Sequence, residues 1–165
     1  MTKACRFIHS GNVAPGRRYG RRMPRLPRYV LPAKGIYHVT SRGVARSAIS
    51  RDDEDRRYFL VLLAREVRHQ GWDCHAFCLM PNHYHLVVET SIDHLSRGLR
   101  RLNGDLARSF NDRYKRWGHL FGDRFAAFVI RDEDHLRNAC EYVLNNPVRA
   151  GLCALAEDWP WSGSR

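Results

Sequence analysis

Two β-rich runs joined by a short turn constrain this chain more than any other feature. Residues 72–79 and 83–89 are dense in strand formers, and Met80-Pro81-Asn82 between them supplies a turn. Proline fixes φ there and asparagine tolerates turn geometry. Side chains alternate across a strand, so His83 and His85 share one face and Tyr84 takes the other. Two imidazoles on one face form a ready pair of metal ligands. They are also compatible with an ordinary half-buried strand, and spacing alone leaves both readings open.

The flanking sequence supplies the other elements. Residues 35–43 alternate with β-formers and stop at Gly43, which predicts a first strand. Asp52-Asp53-Glu54-Asp55 opens a helix with acids in its favourable first turn. Tyr58, Phe59, Leu62, Leu63 and Val67 then recur at helical spacing, and Gly71 ends the pattern. A long helix is expected over about residues 93–114, a fourth strand over 125–130, and a last helix from Asp132 to about Asn145. The order β-α-β-β-α-β-α is that of an α+β, ferredoxin-like split β-α-β sandwich. Its helices would cover one face of an antiparallel sheet, with an added C-terminal helix. Order along the chain does not fix the order of strands in the sheet.

At 165 residues the chain fits a single domain with a core large enough to need no disulfides. Its formal charge of +11 comes from 28 basic and 17 acidic residues. Residues 1–28 hold eight of the cations and no acid, so the rest carries only about +3. That segment has several Gly and Pro and no apolar periodicity. It reads as a basic tail, disordered when alone, ahead of one domain over 29–165. Such an arm suits a polyanion, nucleic acid before membrane. It reads equally as a leader upstream of a start at Met23. No transmembrane run or secretory segment is present, so a cytoplasmic, nucleoid-associated location is expected. The five cysteines are odd in number and scattered, which argues against a disulfide framework. Cys74 and Cys78 fall within a strand-like run rather than a tight knuckle, so free buried thiols fit better than zinc.

Two helices carry further signals. On the long one, Leu95, Leu99, Leu102, Leu106 and Phe110 form an apolar stripe. Arg97, Arg101, Arg108 and Lys115 gather on the opposite side. These cations are either a solvated face or a track for a phosphate backbone. On the last helix Leu136, Ala139, Cys140 and Val143 form the core face, with Tyr142 beside it. His135, Tyr142 and Asn146 project in a similar direction. Pro147 is expected to disfavour helical geometry at Asn146.

Four blocks together carry a resemblance. They are Tyr37-His38-Val39-Thr40-Ser41-Arg42-Gly43, Leu79-Met80-Pro81-Asn82-His83-Tyr84-His85-Leu86, Gly118-His119-Leu120-Phe121-x-x-Arg124-Phe125, and Tyr142-Val143-x-x-Asn146-Pro147-Val148-Arg149-Ala150-Gly151. In this order, spanning roughly residues 23–161, they resemble the REP-associated tyrosine transposases of the single-tyrosine HUH superfamily. The resemblance implies cleavage and rejoining of single-stranded DNA beside an imperfect hairpin, through a 5′-phosphotyrosine intermediate. It makes Tyr142 the nucleophile and His83, His85 and Asn146 the ligands of Mg²⁺ or Mn²⁺. It assigns Arg42 and Arg124 to the DNA, alongside the Arg97, Arg101, Arg108 and Lys115 stripe. Two positions depart from the family pattern: Gly122 stands where glutamine is usual and Ala126 where lysine is common. Two other readings stay open: a DNA-binding protein with the same scaffold and little cleavage, and a replication or mobilisation nickase. Monomer or homodimer is undecided.

Overall fold

In the computed structural model, residues 32–165 are described. The basic segment 1–28 and Cys5 lie outside them. Nine strands and α-helices follow in order, besides two short 3-10 turns: β1 (Lys34–Arg42), α1 (Asp53–Gln70), β2 (Asp73–Met80), β3 (His83–Ser91), α2 (Ile92–Tyr114), β4 (Ala126–Ile130), α3 (Glu133–Leu144), α4 (Asn146–Arg149) and β5 (Ser162–Ser164). The strands form one antiparallel sheet in the order β4-β1-β3-β2-β5. The α+β plan and the β-α-β-β-α-β-α sequence match the expectation, and the strand order, which the sequence left open, is now fixed. β5 and α4 are additions.

Local chemistry explains the boundaries. Asp52 accepts hydrogen bonds from the backbone N–H groups of Glu54 and Asp55, capping α1, and Gly71 closes that helix with φ +62°. Ser91 caps α2 through the His94 N–H, and Asp132 caps α3 through the His135 N–H. At the end of α3 the chain breaks at Asn145 (φ −84°, ψ 2°) and restarts, so Asn146 begins α4 and is helical after all. Pro147 sits in the first turn of that helix, where its missing N–H is not needed.

The alternation of β3 separates two layers. Tyr84, Leu86 and Val88 pack with Tyr37 and Val39 of β1, Phe59, Leu62 and Leu63 of α1, and Leu95, Leu99, Leu102, Leu106 and Phe110 of α2. Each fully buried leucine in this layer contributes about 1.5–3 kcal/mol relative to an exposed one. Val87 lies on the other face, against Ala76 and Cys78 of β2 and Ala139 and Val143 of α3. Thus α1 and α2 cover one face of the sheet, while α3 covers the face that carries His83 and His85. Among the described residues no helix is long and apolar enough to cross a membrane. Four described cysteines are free, and burial pushes the Cys74 and Cys78 thiols up to about 12, which keeps them protonated at physiological pH.

Candidate active site

The site lies where the β2–β3 hairpin, the end of β1 and α3 meet. Arg42 is the register partner of His83, Thr40 that of His85, and His38 that of Val87. His38 is therefore the diagonal neighbour of His85 on the same face. A tight connection follows β1. Gly43 N donates to Asn82 O at 2.9 Å, and a Cβ on Gly43 would lie 2.1 Å from Ser47 O, so only glycine fits there.

Asn82 fixes the first imidazole. Its Nδ2 donates to the Arg46 carbonyl at 3.0 Å, which turns Oδ1 towards His83 Nδ1 at 2.6 Å. An amide oxygen only accepts, so His83 carries its proton on Nδ1 and presents Nε2 as the lone-pair nitrogen. In the second imidazole, His85 Nδ1 lies 2.9 Å from His38 Nε2. The His83 and His85 ring centroids are 5.0 Å apart and nearly perpendicular. Both rings thus engage Nδ1 and leave Nε2, the arrangement by which outer partners orient metal-binding histidines.

All three histidines are buried and neutral at physiological pH. Burial, with a smaller contribution from His135, lowers His38 to about 4. Burial, then the charge of Arg42, lowers His83 to about 4. His85 is held well below the usual imidazole range by burial first, then by His38, His83 and Arg42. Neutral imidazoles are the form that binds a metal, so the donor set suits a divalent cation.

Tyr142 completes the cluster from α3. Its ring stands edge-on to His85 (centroids 5.8 Å, 89°) and to His38 (5.9 Å, 68°). The Arg149 guanidinium, brought back by α4, sits 4.8 Å over the Tyr142 ring. The structure therefore gathers His83, His85 and Tyr142. Asn146 follows Tyr142 by one turn, but its Nδ2 donates to the carbonyl of Tyr142 at 2.8 Å, with Val143 O at 3.4 Å. Its Oδ1 is the atom with ligand character. His38 and Arg149 were not among the expected site residues. Both lie inside the matched blocks, but only strand register and the α3–α4 break bring them to the cluster.

The expected DNA contacts divide. Arg42 and Arg124 are exposed, and Arg42 belongs to the site end of the sheet. Arg97, Arg101 and Arg108 lie on α2, across the sheet from the histidines. The α2 stripe is not free of acids as its helix face suggested. Arg101 donates through Nε and Nη2 to the fully buried Glu66 of α1 at 3.1 and 2.8 Å. Asp105 accepts from Arg65 at 2.6 Å and lies 3.9 Å from Arg108. A helical projection of α2 alone cannot see Glu66, which a different helix supplies. Lys115 caps α2 in the left-handed region, at the end nearer the site.

A second cluster sits at the opposite end of the β2–β3 pair. Asp73, His75 and Glu89 place ligand atoms within 4.8 Å of one another. Asp73 already binds Arg165, and Glu89 lies 3.8 Å from Lys34, so these carboxylates are charge-compensated. Being away from Tyr142, this cluster cannot serve the same centre.

Comparison with known proteins identifies the family and the fold. A family model described as "Transposase IS200 like" matches residues 33–146. A Haemophilus influenzae (strain Rd) protein, provisionally named a REP-associated tyrosine transposase, is 29% identical over 106 residues. That match takes in 57% of this chain and spans 60% of the relative's length. Among solved structures, a REP-associated tyrosine transposase bound to a REP hairpin superposes with a TM-score of 0.69 at 20% identity. It covers 85% of this chain and 82% of the other, and the likeness establishes the fold.

Proposed function

The chain belongs to the IS200-like transposase family, and on that premise we propose that it cuts and rejoins single-stranded DNA beside a hairpin, with Tyr142 as nucleophile. The observation that carries this reading is the edge-on approach of Tyr142 to His85, 5.8 Å between ring centroids, beside a second imidazole oriented by Asn82. His83 and His85, joined by Asn146 through Oδ1, would hold Mg²⁺ or Mn²⁺. Once bound there, such a cation supplies electrostatic stabilisation of the charge that develops on the scissile phosphate oxygens.

The protein's own groups do the rest. Tyr142 Oη forms a bond to phosphorus as the P–O3′ bond breaks, giving a 5′-phosphotyrosine and a free 3′-hydroxyl. Attack by a 3′-hydroxyl on that linkage reverses the step, so the covalent bond conserves the phosphodiester and no nucleotide cofactor is required. Arg149 over the Tyr142 ring and Arg42 beside His83 present positive charge to the phosphate. His38 accepts the Nδ1–H of His85 and thereby holds its Nε2 as the lone-pair nitrogen. Arg124 and Lys115, on the same end of the molecule, extend the cationic surface along the strand.

The test is a denaturing-gel assay of the full chain with end-labelled hairpin DNA carrying a single-stranded flank, in Mn²⁺. A covalent protein–DNA adduct is expected, absent in Tyr142→Phe. An adduct that persists in Tyr142→Phe would remove Tyr142 from the nucleophile role. Hairpin binding without an adduct under any divalent metal would instead favour a binding protein on the same scaffold. A preference for plasmid-origin DNA over dispersed palindromes would favour a nickase.

A further inference from the structure

One tryptophan is at odds with ordinary packing. Of four tryptophans, Trp72 is buried, Trp159 donates its indole N–H to the Leu79 carbonyl at 3.0 Å, and Trp161 lies under the Arg56 guanidinium. Trp117 is 96% exposed, and Val61, at 63%, comes next among the large apolar side chains that are exposed. A tryptophan normally contributes more by burial than any other side chain. Trp117 forgoes nearly all of that.

The segment that carries it is nonetheless built. Lys115 (φ +51°) and Gly118 (φ +90°) bracket Arg116-Trp117 with two left-handed residues, which turns the indole outward. Asn111 Nδ2 donates to the Gly118 carbonyl at 2.9 Å, and Arg116 N donates to Asn111 O at 2.9 Å. Beyond it Leu120 is buried, Val44 N donates to Leu120 O, Phe121 bridges to Gly43, and Gly122 N donates to Arg42 O. The loop is thus stitched to the end of β1, where Arg42 stands opposite His83. Its charge is mainly positive: Lys115, Arg116, His119 and Arg124 lie along it against one acid, Asp123, with Arg42 and Arg46 on the strand end to which it is tied.

An exposed indole on a loop rich in cations has the composition of a stacking platform for single strands. Every base offers a π-face, and neighbouring cations follow the backbone. We propose that Trp117 stacks on an unpaired base of the single-stranded DNA flanking the hairpin, so that the 115–124 loop grips the strand next to the cleavage site. This rests on the function proposed above.

The experiment measures binding of the full chain to a fluorescent hairpin with a single-stranded flank, and to the same hairpin with blunt ends. Wild type, Trp117→Ala and Trp117→Phe are compared across a salt series. Loss of one stacked base corresponds to about 1–3 kcal/mol, or roughly 5- to 150-fold in affinity at 1.4 kcal/mol per decade. Trp117→Ala is expected to lose that factor for the flanked hairpin only, with an unchanged salt slope because no cation is removed. Trp117→Phe should recover most of it, and wild-type tryptophan fluorescence should be quenched by the flanked DNA. Equal affinity of Trp117→Ala and wild type for the flanked hairpin would overturn the stacking role and leave the proposed function standing. Wild type that discriminates against neither blunt hairpin nor random single strands would overturn both. A Trp117→Ala protein that turns from dimer to monomer in sedimentation, with no affinity loss per protomer, would make Trp117 a contact between copies and refute the proposal.

Discussion

Replacing His38 by leucine tests how the second imidazole is oriented. His38 is 8% exposed, and its Nε2 faces His85 Nδ1 at 2.9 Å. Leucine fills similar space without an acceptor, so His85 Nδ1–H would be buried and unpaired. Such an orphaned group costs about 1–3 kcal/mol. His85 can escape that penalty only by moving its proton or turning its ring, and either change withdraws Nε2 from the cation. Outer partners of metal-binding histidines are worth about 10–100-fold in metal affinity, or roughly 1.4–2.7 kcal/mol, the same range from an independent direction. Mn²⁺ affinity followed by electron paramagnetic resonance should therefore fall about 10–100-fold in His38→Leu. His38→Gln, which offers a carbonyl oxygen at similar reach, should recover most of it. In metal-free protein, ¹⁵N ring shifts should report His85 protonated at Nδ1 in wild type and at mixed positions in the leucine variant. With His38 and His83 both lowered to about 4, the difference should hold unchanged from pH 8 to about 5.5. A folded His38→Leu protein that binds Mn²⁺ within twofold of wild type would refute this role for His38.

Two further outcomes follow from buried charge. Unfolded imidazoles titrate near 6.5, whereas His38 and His83 titrate at about 4 in the fold, so below about pH 6.5 the unfolded chain takes up protons that the native one refuses. Stability should be fully present above pH 6.5 and fall as pH drops towards 4, by about 3 kcal/mol for each of these two histidines. Urea midpoints at pH 7.5, 6.5, 5.5 and 4.5 measure this, and a flat profile across the window would contradict it. Arg101→Ala should lower stability by about 1–2 kcal/mol, since it strips one partner from buried Glu66 while Arg65 remains and Arg101 is itself half exposed. It should leave the salt slope of DNA binding intact, and a slope reduced by about 0.7 would return Arg101 to the DNA surface.

What the sequence disclosed was what local periodicity can carry. Alternation on 83–89 separated His83 and His85 from Tyr84, and the fold honours it: Tyr84 donates its hydroxyl to Asn103 of α2 at 2.7 Å, on the side away from the histidines. Capping residues Asp52, Ser91 and Asp132 mark helix starts within a residue or two of the expected ones. β5 was illegible because Ser162-Gly163-Ser164 has no strand formers. It exists because the edge of β2 offers unpaired backbone and Gly163 leaves room for Phe77, whose ring would lie 2.9 Å from a Cβ. His38 escaped notice for a different reason. Its face follows from alternation, but its distance to His85 follows from the β1–β3 register, which no single strand encodes. Arg101 shows the converse: it looks unpaired on its own helix because its acid, Glu66, belongs to α1.

The two ends of the sheet are built differently, and the difference bears on what binds where. Among the described residues, the non-glycine residues with positive φ are Ala45, Arg46 and Lys115. Each such conformation is unfavourable by roughly 1–2 kcal/mol. Ala45 and Arg46 follow the end of β1, and Lys115 opens the loop hydrogen-bonded to it, so all three gather at the His83 end. Asn82 uses that distorted turn directly, because the Arg46 carbonyl that orients its amide is the one the left-handed backbone exposes. The opposite end has regular backbone apart from a bulge between Cys74 and Ala76, and its acids Asp73 and Glu89 are met by Arg165 and Lys34. The site end instead carries exposed Arg42, Lys115 and Arg124 together with neutral imidazoles and an exposed indole, while the acids Asp52 and Asp55 there are held by Arg113. Under the proposed function, the strained turns at this end hold the histidines and Trp117 in position before the DNA arrives.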